Sequence, residues 1–357
     1  MLGLSLNKRK GLVGLDIGSS SVKAVELKKT RSGFELANLG MDTLGPDTVV
    51  DGAIMDAFSV SSAIEKIFKE NKISSTNVAT SISGSSVMVK KISVAAANEA
   101  ELEAAIPYEA QQQLTADVAD VNLSFQVLGP STTPNSLDVM LVAAKREKVS
   151  NYTNVLSQAG KTPVVVDVDA FALQNAFEAG YEPSPGETIA LVNIGASIMN
   201  INIVRAGVPL FTRDISMGGK QYTEALQRAL DLGYEDAEKL KMGGEVASAA
   251  PEALQVKASQ LALVSEQLLR EVQKTLDFFH QTSSPDPIDR VYLAGGTARV
   301  EGLAALLEQE LKIPVEVLNP FRKVAVSISR FDADYIAAIA PRMVVAVGLA
   351  LRSFDAA

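Results

Sequence analysis

Residues 12–27 read LVGLDIGSSSVKAVEL, and residues 190–204 read ALVNIGASIMNINIV. Both stretches follow one plan: an apolar strand, then Asp or Asn, then Ile, Gly and small residues with Ser, and finally a second β-prone strand. Asp16 and Asn193 hold the matching positions. Because the pattern returns halfway along the chain, it predicts two related lobes that face each other.

Strand-like and helix-like segments alternate along the rest of the chain, which favours an α/β fold. Between the two hairpins we expect helices at 58–71, 98–114, 146–159 and 171–179, and strands at 87–94, 121–128, 137–144 and 163–168. The run from 88 to 162 forms a small compact unit of its own. Residues 181–186, YEPSPG, are typical of a linker between lobes.

The composition excludes several classes of function. The chain has 357 residues, enough for two domains, and a formal net charge of -9, which argues against binding nucleic acid. It has no cysteine and a single histidine, His280. Disulfides, thiolate zinc sites, cysteine nucleophiles and sites that need two histidines are therefore excluded. The apolar stretch 336–351 contains Pro341 and Arg342, so we expect no transmembrane helix there.

The first hairpin carries groups that suit a triphosphate. Gly18 lets the backbone approach a ligand closely, and the amides and hydroxyls of Ser19, Ser20 and Ser21 can surround phosphate oxygens. Asp16 at the strand end could hold Mg²⁺ through water, and Lys23 could neutralise phosphate or lie on an outward strand face. Taken alone, these residues fit a plain β-hairpin with a Gly-Ser turn equally well.

Two further features favour a nucleotide site. The second hairpin repeats the turn with Gly195, Ala196 and Ser197. A strand followed by two glycines and a threonine, Ala294–Thr297, suits a backbone that lies close to a flat nucleoside. Three such features in this order, with a small unit between the first two, predict phosphate and adenosine contacts.

The sequence resembles the superfamily of actin, the 70-kDa heat-shock chaperones and the sugar kinases, and within it most closely the PilM family of type IV pilus assembly proteins. The resemblance extends essentially from end to end. The motifs that carry it are GLDIGSSSVK at 14–23, DVMLVAAKRE at 138–147, VDVDAFAL at 166–173, Gly218-Gly219, LAGGT at 293–297 and GLALRSF at 348–354.

The resemblance implies an actin-like, ribonuclease-H-like duplicated and bilobed fold, with a small α+β subdomain inserted in lobe one. The implied subdomains are the lobe-one core 1A (1–87, 163–185 and 340–357), the insert 1C (88–162), the lobe-two core 2A (186–215 and 281–339) and the helical subdomain 2B (216–280).

The resemblance also implies a cytoplasmic ATP-binding scaffold at the inner membrane, which binds the N-terminal cytoplasmic peptide of PilN in a groove between 1A and 1C. Further proteins of the pilus inner-membrane complex and self-association are implied as contacts. The residues expected to bind ATP are Asp16, Gly18, Ser19, Ser20, Ser21, Lys23, Asn193, Gly195, Ala196, Ser197, Gly218, Gly219, Glu238, Lys241, Gly295, Gly296 and Thr297. Asp16 and Asn193 are expected to hold Mg²⁺ through water.

Two departures from the family pattern bear on hydrolysis. Asn193 stands where the family usually has Asp, so Mg²⁺ would be held less firmly. Active ATPases of this class place a Glu or Gln near 166–169 to orient the attacking water, and this chain offers Asp167 and Asp169 without a clear register. We therefore expect ATP binding with slow or absent hydrolysis.

The sequence leaves two alternatives open. One is a filament-forming division protein like FtsA, which attaches to the membrane by a C-terminal amphipathic helix, a tail for which we find no counterpart near Phe354. The other is a small-molecule kinase of the same superfamily. Such a kinase needs a positioned carboxylate base beside a polar substrate pocket, and the sequence offers no convincing one.

Overall fold

The computed structural model describes residues 11–96, 98–114, 117–246, 253–284 and 286–354. The strands are β1 (Val13–Ile17), β2 (Ser21–Thr30), β3 (Gly33–Thr43), β4 (Val49–Val50), β5 (Ala53–Ile54), β6 (Asn77–Ile82), β7 (Val87–Ala95), β8 (Val121–Pro130), β9 (Ser136–Lys145), β10 (Thr162–Val168), β11 (Thr188–Ile194), β12 (Met199–Arg205), β13 (Val208–Ile215), β14 (Arg290–Ala294), β15 (Val315–Val317) and β16 (Val324–Ala325).

The helices are α1 (Ala57–Glu70), α2 (Glu99–Gln113), α3 (Arg146–Gln158), α4 (Asp169–Gly180), α5 (Lys220–Leu230), α6 (Tyr234–Lys241), α7 (Ala253–Thr282), α8 (Leu303–Leu311), α9 (Ala333–Ile339) and α10 (Val344–Leu351). The parts of the expected lobe-one core at 1–10 and 355–357 lie outside the described residues.

Two large sheets repeat the same topology. The first has the strand order β10-β6-β1-β2-β3-β16, and the second has the order β13-β12-β11-β14-β15. In the first sheet, β3, β2 and β1 pair antiparallel, and β6 and β10 continue the sheet parallel to β1. In the second sheet, β13, β12 and β11 pair antiparallel, and β14 and β15 continue it parallel to β11. The internal sequence echo therefore reflects a structural duplication, and β16 is an addition to lobe one.

Helices α4 and α10 lie between the two sheets and form one apolar core with both. This core joins Leu36 of β3, Phe177 of α4, Leu191 of β11 and Val347 of α10. Two glycines allow the close packing. A Cβ on Gly348 would stand 1.7 Å from the carbonyl oxygen of Ala172, and a Cβ on Gly14 would stand 2.1 Å from that of Ala346. Side chains at either position would force the layers apart.

The outer face of each sheet is covered by other helices. On lobe one, α1 and α3 bury Ile64 and Leu156 against β1 and β6. On lobe two, α5, α6, α7 and α8 cover the sheet, and Tyr222, Leu268 and Leu307 are among the residues that fill this core. The elements that carry the expected ligand residues are thus held by packing on both sides of each sheet.

The inserted unit is smaller than the sequence indicates. Strands β7, β9 and β8 form a three-stranded sheet, with β7 and β8 at its edges, and α2 packs Leu102 and Ile106 against it. Helix α3, which we assigned to the insert at 88–162, instead buries Tyr152 and Val155 in the lobe-one core. Its apolar face therefore belongs to 1A, and we place the end of the insert near Lys145. The other subdomain limits remain proposals.

One apolar segment, Ala333–Phe354, is long and hydrophobic enough to be compared with a membrane span. It consists of α9, a 3-10 turn at Ala340–Met343, α10 and a final 3-10 turn. Of its most hydrophobic window, 72% is buried inside the protein. The apolar residues of this segment thus serve the core between the two sheets.

Candidate functional site

The two hairpin tips have the same geometry. In the first, Asp16 lies opposite Lys23, and the Gly18 N–H donates to the Ser21 carbonyl oxygen at 3.1 Å. In the second, Asn193 lies opposite Asn200, and the Gly195 N–H donates to Ile198 at 2.9 Å. Each tip is thus a tight turn at the end of the first strand of its lobe.

Both tips line one cleft between the lobes, together with the Gly-Gly-Thr turn after β14. The cleft has a volume of about 1120 Å³, which includes its open mouth. The expected ligand residues that line it are Asp16, Gly18, Ser19, Ser20, Lys23, Asn193, Gly195, Ala196, Ser197, Gly219, Glu238, Lys241, Gly295, Gly296 and Thr297. Residues separated by up to 281 positions in the sequence therefore converge on one hollow.

Two of the expected ligand residues, Ser21 and Gly218, are not among the residues that line the cleft, and we propose that they act indirectly. Ser21 is fully buried, with its hydroxyl 3.5 Å from Nη2 of Arg342. Gly218 is a packing residue: a Cβ there would stand 2.5 Å from the Gly195 carbonyl oxygen. Both residues shape the tips, but the surface of the cleft is formed by their neighbours.

The start of α5 orients the second tip. Gly219 N–H donates to the Gly195 carbonyl at 2.9 Å, and Lys220 N–H donates to the Ala196 carbonyl at 2.8 Å. The Thr297 hydroxyl also donates to Gly195 O at 2.9 Å. Because a trans peptide points its N–H opposite to its carbonyl, the amides of Ala196 and Ser197 point away from α5. Both residues line the cleft, so these amides are suited to phosphate oxygens.

The first tip carries an ion pair. Lys23 Nζ lies 2.8 Å from Asp16 Oδ2, and both side chains are largely buried, with 11% and 14% of their surface exposed. Lys23 therefore lies on the inner face of its strand at the cleft and not on an outward face. The pair offers both a cation for phosphate and a carboxylate for metal-bound water.

The second tip has neutral side chains at the positions that correspond to Asp16 and Lys23. Asn193 Nδ2 donates to Asn200 Oδ1 at 2.8 Å, and Asn200 Nδ2 donates to Asp214 Oδ1 at 2.8 Å. The other oxygen of Asp214 accepts the Gly84 N–H of lobe one at 2.6 Å. This hydrogen-bond chain, which sequence reasoning missed, connects the second tip to the opposite lobe.

The structure separates the two candidate carboxylates. Asp169, the first residue of α4, lines the cleft. Burial, together with the charges of Asp16 and Asp214, raises its pKa to about 6, although hydrogen bonds from Ser81 and Ser83 act in the opposite direction. Asp167 is absent from the residues that line the cleft; it is buried, with Oδ2 3.3 Å from Nε of Arg352. Strand β10 ends at Val168, so its alternation does not carry over to α4, and of the two candidates Asp169 is the one that lines the cleft.

Glu238 and Lys241 of α6 also line the cleft, beside the start of α5. Lys241 Nζ contacts Glu238 Oε1 and lies 3.0 Å from the Thr223 hydroxyl and 3.3 Å from the Gly219 carbonyl. Burial lowers the pKa of Lys241, and the Glu238 charge opposes this shift. The pair is therefore partly buried and fixed by hydrogen bonds beside α5, in a position suited to contact a ribose or base.

Several cleft residues escaped sequence reasoning. They are Ile17, Gly52, Ser81, Ser83, Tyr152, Ile198, Asn200, Met242, Arg342 and Val345. Arg342 gave a usable signal, since it is the one charged residue in the apolar stretch 336–351. Burial lowers its pKa, and the nearby charge of Arg299 adds to this shift. A partly buried guanidinium at the cleft suits an anionic ligand.

The polar side chains of the cleft suit a metal ion that is bound mainly by nucleotide phosphates and water. Among the described residues, no three His, Cys, Asp or Glu side chains form a cluster that could bind a metal directly. Asp16, Asp169 and Asn193 nevertheless line the same cleft. Mg²⁺ commonly keeps several waters and binds through phosphates and one or two carboxylates, so these residues fit that ion.

Comparison with known proteins supports this description. The curated cell division protein FtsA of Bacillus subtilis (strain 168) is 21% identical over 361 residues, covering 88% of this chain and 80% of FtsA. A solved PilM-PilN type IV pilus biogenesis complex has a TM-score of 0.86 and 29% identity, and covers 98% of this chain and 100% of that chain.

More distant structures share the fold alone. The ethanolamine utilization protein EutJ of Carboxydothermus hydrogenoformans has a TM-score of 0.55 at 17% identity and covers 95% of this chain and 88% of its own. MreB5 of Spiroplasma citri bound to ADP has a TM-score of 0.52 at 14% identity, covering 96% and 95%. The expected actin-like fold is confirmed.

The sequence model of one family, described as type IV pilus assembly protein PilM, matches residues 14–354. That range contains both hairpin tips, the insert and the helices between the sheets. The chain belongs to the PilM family of type IV pilus assembly proteins.

Proposed function

We propose that this chain is a cytoplasmic nucleotide-binding scaffold of the type IV pilus inner-membrane assembly complex, and that its nucleotide is ATP with Mg²⁺. One observation carries the nucleotide part: the tips at Gly18 and Gly195, from opposite lobes, line a single cleft. A ligand that contacts both lobes favours their closed arrangement by its differential affinity.

The polar groups of the cleft are sufficient for such a ligand. Hydrogen bonds to charged groups contribute about 1.5 to 3 kcal/mol each, and micromolar affinity corresponds to about 8 kcal/mol. A few amides from the two tips, with Lys23 and Arg342, would reach this value after ordering costs. At a hundredfold excess over Kd, ATP would raise the free energy of unfolding by about 2.7 kcal/mol.

We further propose that hydrolysis is slow. Asp169 is our candidate for orienting a water, since it is the carboxylate at the start of α4 beside the first tip. Multiple-turnover phosphate release with wild type and Asp169→Asn tests this. The proposal expects a low rate that falls further in the variant. An unchanged rate would remove Asp169 from this role.

The proposed partner is PilN, whose complex with a PilM protein is the solved structure with the TM-score of 0.86. A candidate groove adjoins the insert. It has a volume of about 810 Å³ and lies between β7 of the insert and β13 of lobe two, with Val168 and Ala170 of lobe one also lining it. We had expected a groove between 1A and 1C alone, so lobe two would form an additional wall.

The groove suits an extended peptide. Strands β7 and β13 are edge strands of their sheets. Edge strands carry backbone groups that can pair with an added strand, and side-chain pockets then supply specificity. Val87, Val89, Ile198 and Ile215 make much of the lining apolar. We therefore propose that the N-terminal peptide of PilN lies along β7.

Calorimetry with a synthetic PilN N-terminal peptide tests the groove. The wild type should bind it, and a scrambled peptide should not bind. Val89→Glu, which places a charge in the groove, should abolish binding. The control Val127→Glu changes an exposed residue on the opposite edge strand, β8, and should bind normally. Equal binding by both variants would contradict the groove assignment.

Membrane pull-downs with ATP and with ADP test the place of this chain in the assembly. Recovery of pilus inner-membrane proteins would support a scaffold attached to the membrane through its partners. Recovery of none under either condition would contradict it.

A further inference from the structure

Three polar side chains stand at one level across three neighbouring strands of lobe two. Asn193 of β11 is the register partner of Asn200 of β12, and Asn200 is the register partner of Asp214 of β13. Two hydrogen bonds of 2.8 Å link them in a row. The row leads from the cleft to the edge strand of the lobe.

The carboxylate of Asp214 decides the direction of every bond in this row. An ionised carboxylate can only accept, so Asn200 must present its NH₂ group to Asp214. The carbonyl oxygen of Asn200 then faces Asn193, which must present its own NH₂ group. The amide oxygen of Asn193 is thereby turned away from the row. It lies beside the Gly-Gly turn of the cleft, where a Cβ on Gly295 would stand 2.9 Å from it.

The direction matters for a metal held through water. Waters bound to Mg²⁺ direct their hydrogens outward, so a residue that holds them must offer an acceptor. An amide offers an oxygen or an NH₂ group depending only on how it is turned. Asn193 lacks the charge that Asp16 has at the matching position of the first tip, so its orientation is decisive.

We infer that Asp214 is a positioning residue that fixes the amide of Asn193 with its oxygen toward the cleft, so that this neutral side chain can accept from metal-bound water. The inference rests on the proposed binding of nucleotide with Mg²⁺. Asp214 itself does not line the nucleotide cleft and acts through Asn200.

A single isosteric change reverses the row. The second oxygen of Asp214 accepts the Gly84 N–H, a backbone donor that cannot turn round. In Asp214→Asn the remaining oxygen stays with Gly84, and the new NH₂ group faces Asn200. Asn200 and Asn193 then both turn, and Asn193 presents its NH₂ group to the cleft. The contact between the lobes is kept while the polarity at the metal side is inverted.

The first test is the gain in ATP affinity that Mg²⁺ produces, measured by calorimetry with Mg²⁺ and with EDTA. In Asp214→Asn this gain should fall at least tenfold, while affinity in EDTA should not fall below the wild-type value. Asn200→Leu breaks the row without changing net charge and should reduce the gain similarly. The double variant Asn193→Asp with Asp214→Asn suits the reversed row and should recover the gain. A wild-type gain in Asn200→Leu would overturn the inference, because charge alone would then explain Asp214→Asn.

The second test needs neither nucleotide nor metal. In the wild type, Asn193→Asp places a carboxylate against the Asn200 oxygen and should lower Tm. In the Asp214→Asn background, the decrease in Tm caused by Asn193→Asp should be at least halved. In the Asp169→Asn background, which removes a nearby charge outside the row, it should not be halved. Equal losses in all three backgrounds would overturn the inference. If wild type bound no ATP, the proposed function would fail, yet these melting curves would still decide the polarity of the row.

Discussion

Asp16 Oδ2 lies 2.8 Å from Lys23 Nζ across the first hairpin, at the register position that Asn193 and Asn200 occupy in the second. The two lobes thus repeat one backbone plan but present different electrostatics to the cleft. Lobe one contributes a charged pair, and lobe two contributes a neutral, hydrogen-bonded amide pair. The division suggests that lobe one supplies most of the charge for a metal and triphosphate.

Replacing Lys23 by Met should weaken ATP binding at least tenfold, because a buried cation at the phosphate tip is lost. It also leaves the Asp16 carboxylate without its ion-pair partner, which should lower the free energy of unfolding by about 1 to 3 kcal/mol. Calorimetry and urea denaturation measure the two effects. Lys28→Met is the control, since Lys28 is exposed on the same strand. Wild-type affinity in Lys23→Met would contradict the assignment of the first tip.

Lys241→Met should weaken the binding of ATP and of ADP by the same factor, about tenfold, because we propose that the Glu238–Lys241 pair contacts the nucleoside and not the phosphates. The loss should be independent of Mg²⁺. Fluorescence titration with each nucleotide measures it. Lys239→Met, an exposed change on the same helix, serves as the control. A loss confined to ATP would mean that Lys241 contacts phosphate.

Asp169→Asn should stabilise the nucleotide-free protein at pH 7. The native pKa is raised from 3.8 to about 6, so the ionised carboxylate opposes folding at neutral pH, and stability rises as pH falls from about 6 to 4. The variant should remove that dependence and gain up to about 3 kcal/mol at pH 7. Urea denaturation at several pH values measures this.

Asp167→Asn is the matched change two residues earlier. It should destabilise the protein at pH 7, because it weakens the contact with Arg352. If both variants shift stability in the same direction, the two carboxylates do not have the different environments described here.

Gly218→Ala should lower stability by about 1 to 3 kcal/mol and weaken ATP binding, because a methyl group there overlaps the Gly195 carbonyl of the second tip. The measurement is a urea denaturation curve together with ATP titration. In Gly233→Ala the added Cβ has no atom within 4 Å, so both properties should stay close to wild type. Equal effects of the two substitutions would show that the contact between α5 and the second tip is unimportant.

The fold was predictable where local pattern and duplication coincide. The hairpins at Asp16 and Asn193 combine strand alternation with a Gly-Ser turn, and both are local features. The third strands, β3 and β13, were not predicted, although Ser32-Gly33 and Ala206-Gly207 mark the turns that precede them. Helix α3 was assigned to the insert because it follows β9 in sequence, whereas its apolar face packs Tyr152 and Val155 into lobe one.

The site was predictable in its backbone turns and much less in its side-chain network. Glycines mark close approaches of the chain in the sequence itself. The choice between Asp167 and Asp169 depends on where β10 ends and α4 begins. Sequence patterns do not locate such a boundary to within one residue. The row from Asn193 to Asp214 depends on strand register, and Gly84 joins it from 130 residues away. Such long-range contacts have no local sequence signal.

A crystal structure with Mg²⁺ and a non-hydrolysable ATP analogue tests the central claim most directly. We expect the phosphates to lie within about 2.7 to 3.2 Å of backbone amides from both tips, at Ser19 or Ser20 and at Ala196 or Ser197. A nucleotide bound elsewhere, or held by one tip while the other stays out of reach, would contradict the account.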